Sequence, residues 1–405
     1  FEETKYFSFI SIFLIIILSL ILGLVSSLLI FYNKTVPIIF IIPIIFILSE
    51  VIISFIMYGF PWVTYSLIVS NINLFSFSLK HFGTIITSFS VLILFCLPYL
   101  FLSKKNLTKI TILFFSFILL PLFFSVIFNL FNNTEDSTKH KVIQIDLYQL
   151  NKEVLLNNES AKALYENILN KISKSDSDLI IFAENNYPYL IKKIEFKNIQ
   201  NILGDNQTII IGGTRYEEEK YYNSLISISK RGISYYDKKI LVPFGEFLPF
   251  RNLLSILFKK ISSPYDYSPG SLDRSISINS NVKYIPIICY EILFHWKILN
   301  KKNINDNFLV NITNDIWFGN KLGPYQHLYL SKIRASEFNK PVIRVSNNGI
   351  SAIINEKGKI INSTKLNNYE NIKTTFSYKK NKSFNMTHKV LNYYYIIIFL
   401  FLFLI

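Results

Sequence analysis

Charge is what this chain has least of. Charged residues make up 17% of its 405 positions, against about 25% in an average soluble domain. The shortage is local: between Tyr6 and Phe131 the one acidic side chain is Glu50, with a few lysines beside it. Cysteine is nearly absent. The chain has 2, too few for a disulfide framework. Cys96 lies inside the apolar run Leu92-Ile93-Leu94-Phe95-Cys96-Leu97 and reads as a buried small hydrophobe. That leaves Cys289 without an obvious partner, so it reads as a nucleophile or as a core thiol.

Ligand signatures are missing too. The histidines His81, His140, His295, His327 and His388 are scattered without ligand spacing, so no metal site is expected. His327 reads as structural or as a support to the site, not as a ligand. Gly212-Gly213 reads as a turn or bulge, because no phosphate-loop lysine or helix comes after it. No cofactor is expected. The net charge of +15 comes from dispersed lysines, without the dense basic runs of nucleic-acid binders. It fits attraction to anionic lipid better. A signal peptide fits poorly, since the apolar runs are too long and too many. There is no internal repeat.

What fills the gap is hydrophobic sequence. A bilayer core needs about 20 apolar residues per helix. Phe7–Tyr32, Val36–Met57, Ile85–Leu102 and Ile110–Leu130 meet this, and Tyr393–Ile405 reads as a last span cut short. The expected organisation is a transmembrane helical domain over 1–131, a catalytic domain over 132–389, and a C-terminal transmembrane segment over 390–405. Ser103–Lys109 is the most basic short connection, which places it on the cytoplasmic side. Lys34 falls on that side, 59–83 on the other, and the domain after Asn132 lies on the outer, periplasmic face. Both ends read as truncated, with an odd number of upstream spans missing.

The middle of the chain alternates strand-like and helix-like segments. Val142–Leu147, Leu179–Phe182, Thr208–Ile211, Asn223–Ser229, Tyr284–Cys289, Phe308–Ile312, Val342–Val345 and Ile350–Ile354 read as strands. Ser160–Ile172, capped by Ser160, and Gln326–Phe338 read as helices. This predicts an α/β sandwich with buried sheets. The polar stretch Asn368–Lys389 reads as a tether to the last span.

Three apolar runs end in a chemical group: Phe182-Ala183-Glu184, Tyr236-Asp237-Lys238 and Ile287-Ile288-Cys289-Tyr290-Glu291. Three strand ends at one sheet edge would make a site. A thiol is a weak nucleophile at neutral pH until a base or cation activates it. Lys238 can supply a cation and stabilise an oxyanion; Glu184 can take the thiol proton and return it. Taken singly, Lys238 also reads as a surface charge, Glu184 as a strand cap and Cys289 as core. Trp317, Phe318, Phe244, Phe247 and Phe250 read equally as lining an apolar substrate path or dipping into a membrane interface, or as core packing.

Taken in order, Lys238-Lys239-Ile240-Leu241-Val242-Pro243-Phe244-Gly245-Glu246, Ile288-Cys289-Tyr290-Glu291, Asn311-Ile312-Thr313-Asn314-Asp315-Ile316-Trp317-Phe318-Gly319, Gly323-Pro324-Tyr325-Gln326-His327, Arg334-Ala335-Ser336-Glu337 and Arg344-Val345-Ser346-Asn347-Asn348-Gly349 resemble the nitrilase superfamily. Within it they resemble its membrane-bound branch, the apolipoprotein N-acyltransferases, as does Gly59-Phe60-Pro61-Trp62 preceded by Glu50. The resemblance implies a polytopic α-helical membrane domain carrying an αββα nitrilase-like sandwich. It implies catalysis by Glu184, Lys238 and Cys289, with Glu246, Tyr290, Glu291 and Trp317 supporting the site or binding substrate. It further implies a phospholipid acyl donor, a diacylglyceryl-modified apolipoprotein acceptor and an inner-membrane location. Two departures stand out: Ala183 replaces a proline common in relatives, and no tryptophan occurs between Asn132 and Trp296. An amidase using water, or a non-catalytic lipoprotein-binding scaffold, are the competing readings.

Overall fold

The computed structural model describes residues 7–32, 38–55, 58–62, 64–96, 98, 141–150, 158–249, 251, 266–279, 282–366 and 371–378. The expected spans Ile110–Leu130 and Tyr393–Ile405 lie outside these residues. So do the boundaries placed at 131, 132, 389 and 390, and Phe250.

Helices α1 (Phe7–Tyr32), α2 (Ile38–Phe55) and α3 (Asn73–Phe95) form the N-terminal part. Their sequences offer few side chains that compete for the backbone, and the serines that occur are absorbed locally: Ser49 and Ser54 donate to the carbonyls of Ile45 and Glu50 at 2.7 Å. Val25 on α1 packs with Ile41 and Ile45 on α2, while Ile15, Leu20 and Leu24 face outward.

The third helix differs from expectation. It begins at Asn73 rather than Ile85 and bends at Gly83, whose φ is +76°. The segment assigned to a loop therefore holds a 3-10 turn (Tyr65–Val69) and the first half of α3. A kink frees a backbone N–H, and here Thr84 N donates to Glu337 Oε1 at 3.0 Å. The stretch Ser78–Phe95 is long and apolar enough to cross a membrane, by length and composition. Cys96 is the C-cap of this helix and half-buried, not a core residue.

Among the described residues that follow, two six-stranded sheets lie face to face. The first runs β12-β1-β2-β3-β4-β5, the second β11-β10-β9-β8-β7-β6. The strands are β1 (Lys141–Tyr148), β2 (Leu179–Phe182), β3 (Thr208–Glu217), β4 (Lys220–Ser229), β5 (Gly232–Asp237), β6 (Ile276–Asn279), β7 (Val282–Ile288), β8 (Phe308–Asn314), β9 (Val342–Asn347), β10 (Ala352–Ile354), β11 (Ile360–Ser363) and β12 (Ile372–Tyr378). Pairing is parallel through β1-β2-β3 and β7-β8-β9, and antiparallel outward from them. β2 is buried at every position, as a strand covered on both faces must be.

One core, with Ile181, Leu225 and Tyr236 on the inner face of the first sheet and Tyr284, Phe308 and Val310 on that of the second, joins the sheets. Helices α4 (Asn158–Lys174) and α5 (Lys197–Ile202) cover the outer face of the first sheet through Ile168, Ile172 and Ile199. Helix α6 (Leu322–Phe338) packs on the second. This is the αββα architecture that the resemblance implies. Three local expectations change. α4 starts at Asn158, so Ser160 sits inside the helix rather than capping it. Gly212-Gly213 is neither turn nor bulge but continuous strand, in register with Leu225 and Ser224. Part of the expected tether is β12, an edge strand on β1.

Candidate active site

Glu184 and Lys238 stand at strand ends of the first sheet and Cys289 at a strand end of the second, so the expected meeting at one sheet edge is instead a meeting between two sheets. Glu184 comes just after β2 and Lys238 just after β5. Two strands separate them, three spacings or about 14 Å. Their long side chains close this gap: Lys238 Nζ is 3.7 Å from Glu184 Oε1. Asn223, on the intervening β4, bridges the acids. Its Nδ2 donates to Glu184 Oε1 and to Glu246 Oε1, each at 2.7 Å. Glu246 accepts from Lys238 Nζ at 2.8 Å and from Val242 N at 2.8 Å. The other oxygen of Glu184 accepts from Asn314 N at 2.8 Å, which ties the two sheets together at the site.

The backbone around Glu184 explains the glycine opposite. A Cβ on Gly212 would lie 2.7 Å from Glu184 Cα and 2.6 Å from Asn185 N. Only a residue without Cβ lets β3 pass so close.

Cys289 ends β7 at a positive φ of 48° and opens a 3-10 turn to Leu293. The sharp reversal turns its side chain out of the strand. The thiol is buried, which pushes its pKa up; Glu184 pushes it further, while Lys238 and Thr313 act the other way. Burial works against the Lys238 ammonium, but Glu246, Glu184 and Cys289 together raise its pKa above the ordinary value. The resting arrangement is therefore a neutral thiol beside a charged lysine. Lys238 is 1% exposed, which removes the surface-charge reading.

Glu291 is wholly buried and touches no open space. Arg274 donates to it through both terminal nitrogens, at 2.8 and 2.7 Å. Ile288 N, Lys239 N, Ile240 N and Tyr236 Oη also donate to it. Burial alone would raise the Glu291 carboxyl, yet Arg274 and these donors hold it below its usual range. One carboxylate thus pins both the residue before the thiol and the residue after the lysine.

Tyr290 points the other way. Its hydroxyl donates to Gly59 O at 2.7 Å, and its ring stacks on Phe60 at 6.4 Å. Gly59, at φ +80°, has no room for a Cβ: one would sit 2.3 Å from Ser54 O. Trp62, next in that loop, donates to Gln326 Oε1 at 2.8 Å and packs on Phe318 at 4.7 Å. The loop between α2 and α3 is thereby seated beside the thiol. Trp317 is 56% exposed, so core packing does not account for it. Phe318, Phe244 and Phe247 are half-buried.

Beneath the site, Asp315 pairs with Arg344 at 2.6 Å and lies 2.9 Å from His327 Nδ1. Burial opposes the Asp315 charge, but Arg344 and His327 hold its pKa well below the usual range. His327 is thus fixed in a buried cluster with Asp315 and Arg344. Sequence reading misses Asn223, Arg274 and Tyr236 as parts of this machinery. Asn223 leaves a signal, since asparagine is depleted inside strands; Arg274 and Tyr236 leave none.

The carbon-nitrogen hydrolase family matches residues 143–374. A protein of Allorhizobium ampelinum called apolipoprotein N-acyltransferase is 32% identical over 229 residues, covering 54% of this chain and 43% of that protein. Proteins of the same name from Haemophilus ducreyi and Wigglesworthia glossinidia brevipalpis are 30% and 33% identical. These two alignments cover 75% and 77% of this chain, and 62% and 64% of those proteins. The chain thus spans less than two thirds of each of these relatives.

Proposed function

The chain belongs to the carbon-nitrogen hydrolase family, and on that footing we propose that it is an apolipoprotein N-acyltransferase whose catalytic groups are Cys289, Lys238 and Glu184. The observation that carries this reading is the seating of the Gly59–Trp62 loop, an extension of apolar helices, on the residue next to the thiol. A soluble amidase has no need of such helices.

In the first half-reaction the Cys289 sulfur attacks the ester carbonyl of a phospholipid while Glu184 takes the thiol proton. The oxyanion forms beside the Lys238 ammonium. Its collapse breaks the ester C–O bond, and Glu184 returns the proton to the departing lysophospholipid. In the second half-reaction the amino group of a diacylglyceryl-cysteine attacks the thioester and gives its proton to Glu184. Collapse forms the amide and releases the Cys289 thiolate, which recovers that proton. Glu246 and Asn223 hold Lys238 and Glu184 in place. Tyr290, Glu291 and Trp317 support the site, with exposed Trp317 facing the substrates.

Helices α1, α2 and α3 belong to a membrane domain within 1–131, the sandwich forms the catalytic domain within 132–389, and 390–405 returns to the membrane. Outward-facing Ile15, Leu20 and Leu24 suit lipid contact. The catalytic domain faces the periplasm, on the side opposite the basic connection 103–109.

The test is intact-mass spectrometry after incubation with phosphatidylethanolamine alone. The expected result is a gain of one acyl chain, absent in Cys289→Ala and discharged by a diacylglyceryl-cysteine peptide. A folded protein with no adduct refutes the reading. Discharge by water as fast as by the peptide shifts it to an amidase.

A further inference from the structure

The thiol has a polar neighbour on its own sheet. β7 and β8 run parallel, with Ile288 in register with Ile312, so Cys289 leaves β7 alongside Thr313 on β8. Thr313 is wholly buried. Its hydroxyl lies within hydrogen-bonding reach of the thiol, and it donates to Asp315 Oδ1 at 3.1 Å.

A hydroxyl carries one hydrogen, which swings about the C–O bond without moving any heavy atom. At rest that hydrogen goes to Asp315. The carboxylate does not depend on it: Arg344 Nη2 donates to Asp315 Oδ2 at 2.6 Å, and His327 Nδ1 lies 2.9 Å from Oδ1. Nor can the carboxylate shift toward the sulfur freely, because it is wedged against Gly349, where a Cβ would come within 2.2 Å of Oδ2. The hydrogen can leave Asp315 while the carboxylate stays paired and in place.

On the proposed mechanism a thiolate arises twice, when Cys289 gives up its proton and when the amide forms. The groups facing it are Glu184 and Lys238 from the first sheet and Thr313 and Asp315 from the second. At both moments Glu184 has just taken a proton. Lys238 donates to Glu246 at 2.8 Å and serves the oxyanion. Asp315 disfavours a thiolate. A buried anion without a donor is costly, and Thr313 is the remaining donor.

We propose that Thr313 is a further catalytic residue, whose hydroxyl hydrogen turns from Asp315 to the Cys289 sulfur whenever the thiolate forms and turns back when thiol or thioester is restored. No bond to Thr313 breaks: it keeps its own proton, and the thiol proton goes to Glu184. This role rests on Cys289 being the nucleophile, and not on the identity of the acyl donor or acceptor.

The test treats the full chain in detergent with iodoacetamide. The alkylation rate of Cys289 is read by peptide mass, which separates it from Cys96. The thiolate is the reacting form. Thr313→Val keeps the shape and loses the hydroxyl, Thr313→Ala also opens space, and Thr313→Ser keeps the hydroxyl. The expected rates are about tenfold or more below wild type in Thr313→Val and Thr313→Ala, and within about threefold of it in Thr313→Ser, as loss and retention of a hydrogen bond to a charged group require. Loss of packing alone would speed alkylation in Thr313→Ala by exposing the thiol. A wild-type rate in Thr313→Val, or a Thr313→Ser as slow as Thr313→Val, overturns the proposal. Should Thr313→Val not fold, Thr313→Ala is read against Thr313→Ser in the same way. Alkylation needs no lipid, so the two readings fail separately. A wild type that follows these rates but takes up no acyl chain refutes the acyltransferase and leaves Thr313 in its role; equal alkylation in all variants with the acyl adduct intact does the reverse.

Discussion

Replacing Glu291 with glutamine tests whether one buried carboxylate organises the site. Glu291 Oε1 accepts from Arg274 Nη2, Tyr236 Oη, Lys239 N and Ile240 N, and Oε2 from Arg274 Nη1 and Ile288 N. A glutamine can present only one acceptor oxygen. Whichever way its amide turns, the NH2 faces donors, and Arg274 loses its counter-charge while staying 2% exposed. Breaking such a buried pair costs about 3–5 kcal/mol, a large share of a typical stability of about 5–15 kcal/mol. For a domain of this size that lowers Tm by roughly 6–20 °C, at about 2–4 °C per kcal/mol. Fluorescence-detected melting in detergent reads the shift. The double variant Arg274→Met with Glu291→Leu removes both charges and should recover much of the stability. It should not recover acyl-adduct formation, because Lys239 N and Ile240 N still lack their acceptor and Lys238 loses its anchor. The sign with pH comes from the depressed pKa of Glu291. Its contribution is full above the ordinary carboxylate range and is lost as pH falls through the lower folded value. Wild type should therefore lose more stability than Glu291→Gln on acidification. A Glu291→Gln Tm within about 2 °C of wild type, less than one kcal/mol on the same scale, or a double variant that is both stable and fully active, refutes the reasoning.

Gly212→Ala should cost about 1–3 kcal/mol through overpacking against Glu184 Cα and slow acylation about a hundredfold by displacing the base; denaturant titration and adduct kinetics read the two effects. Asn223→Asp places a third carboxylate between Glu184 and Glu246 and should cut the acylation rate on the order of a hundredfold, measured by the same adduct kinetics; an unchanged rate would remove Asn223 from the machinery. Tyr290→Phe deletes the bond to Gly59 O and should cost about 1 kcal/mol, with an adduct rate that falls only a few-fold.

Which residues meet is more legible in the sequence than how they meet. Glu184, Lys238 and Cys289 each end an apolar run, and a strand end is where a polar side chain can leave a buried sheet. Which sheet each strand joins depends on pairing partners far away in sequence, so local reading sets Cys289 beside the other two rather than opposite them. β12 pairs with β1, more than two hundred residues upstream. Its sequence Ile-Lys-Thr-Thr-Phe-Ser-Tyr buries alternate positions in part, which reads locally as polar linker. Gly212-Gly213 looks like punctuation because glycine normally weakens a strand. Its cause, the backbone at Glu184, lies beyond the end of another strand. The start of α3 is hidden because Asn73 to Phe82 is less apolar than the half of the helix beyond the bend at Gly83.

The division of the site between the two sheets has a consequence for the whole interior. On the proposed mechanism, proton handling is anchored on one layer and the nucleophile on the other, so reactivity would report the distance between layers. A displacement of about 1 Å can cost about a hundredfold in rate. Core side chains far from the thiol, such as Ile181 against Val310, thereby act as shims. Trimming them should change the acylation rate before it unfolds the protein, and restoring the lost volume elsewhere in the same layer should bring the rate back.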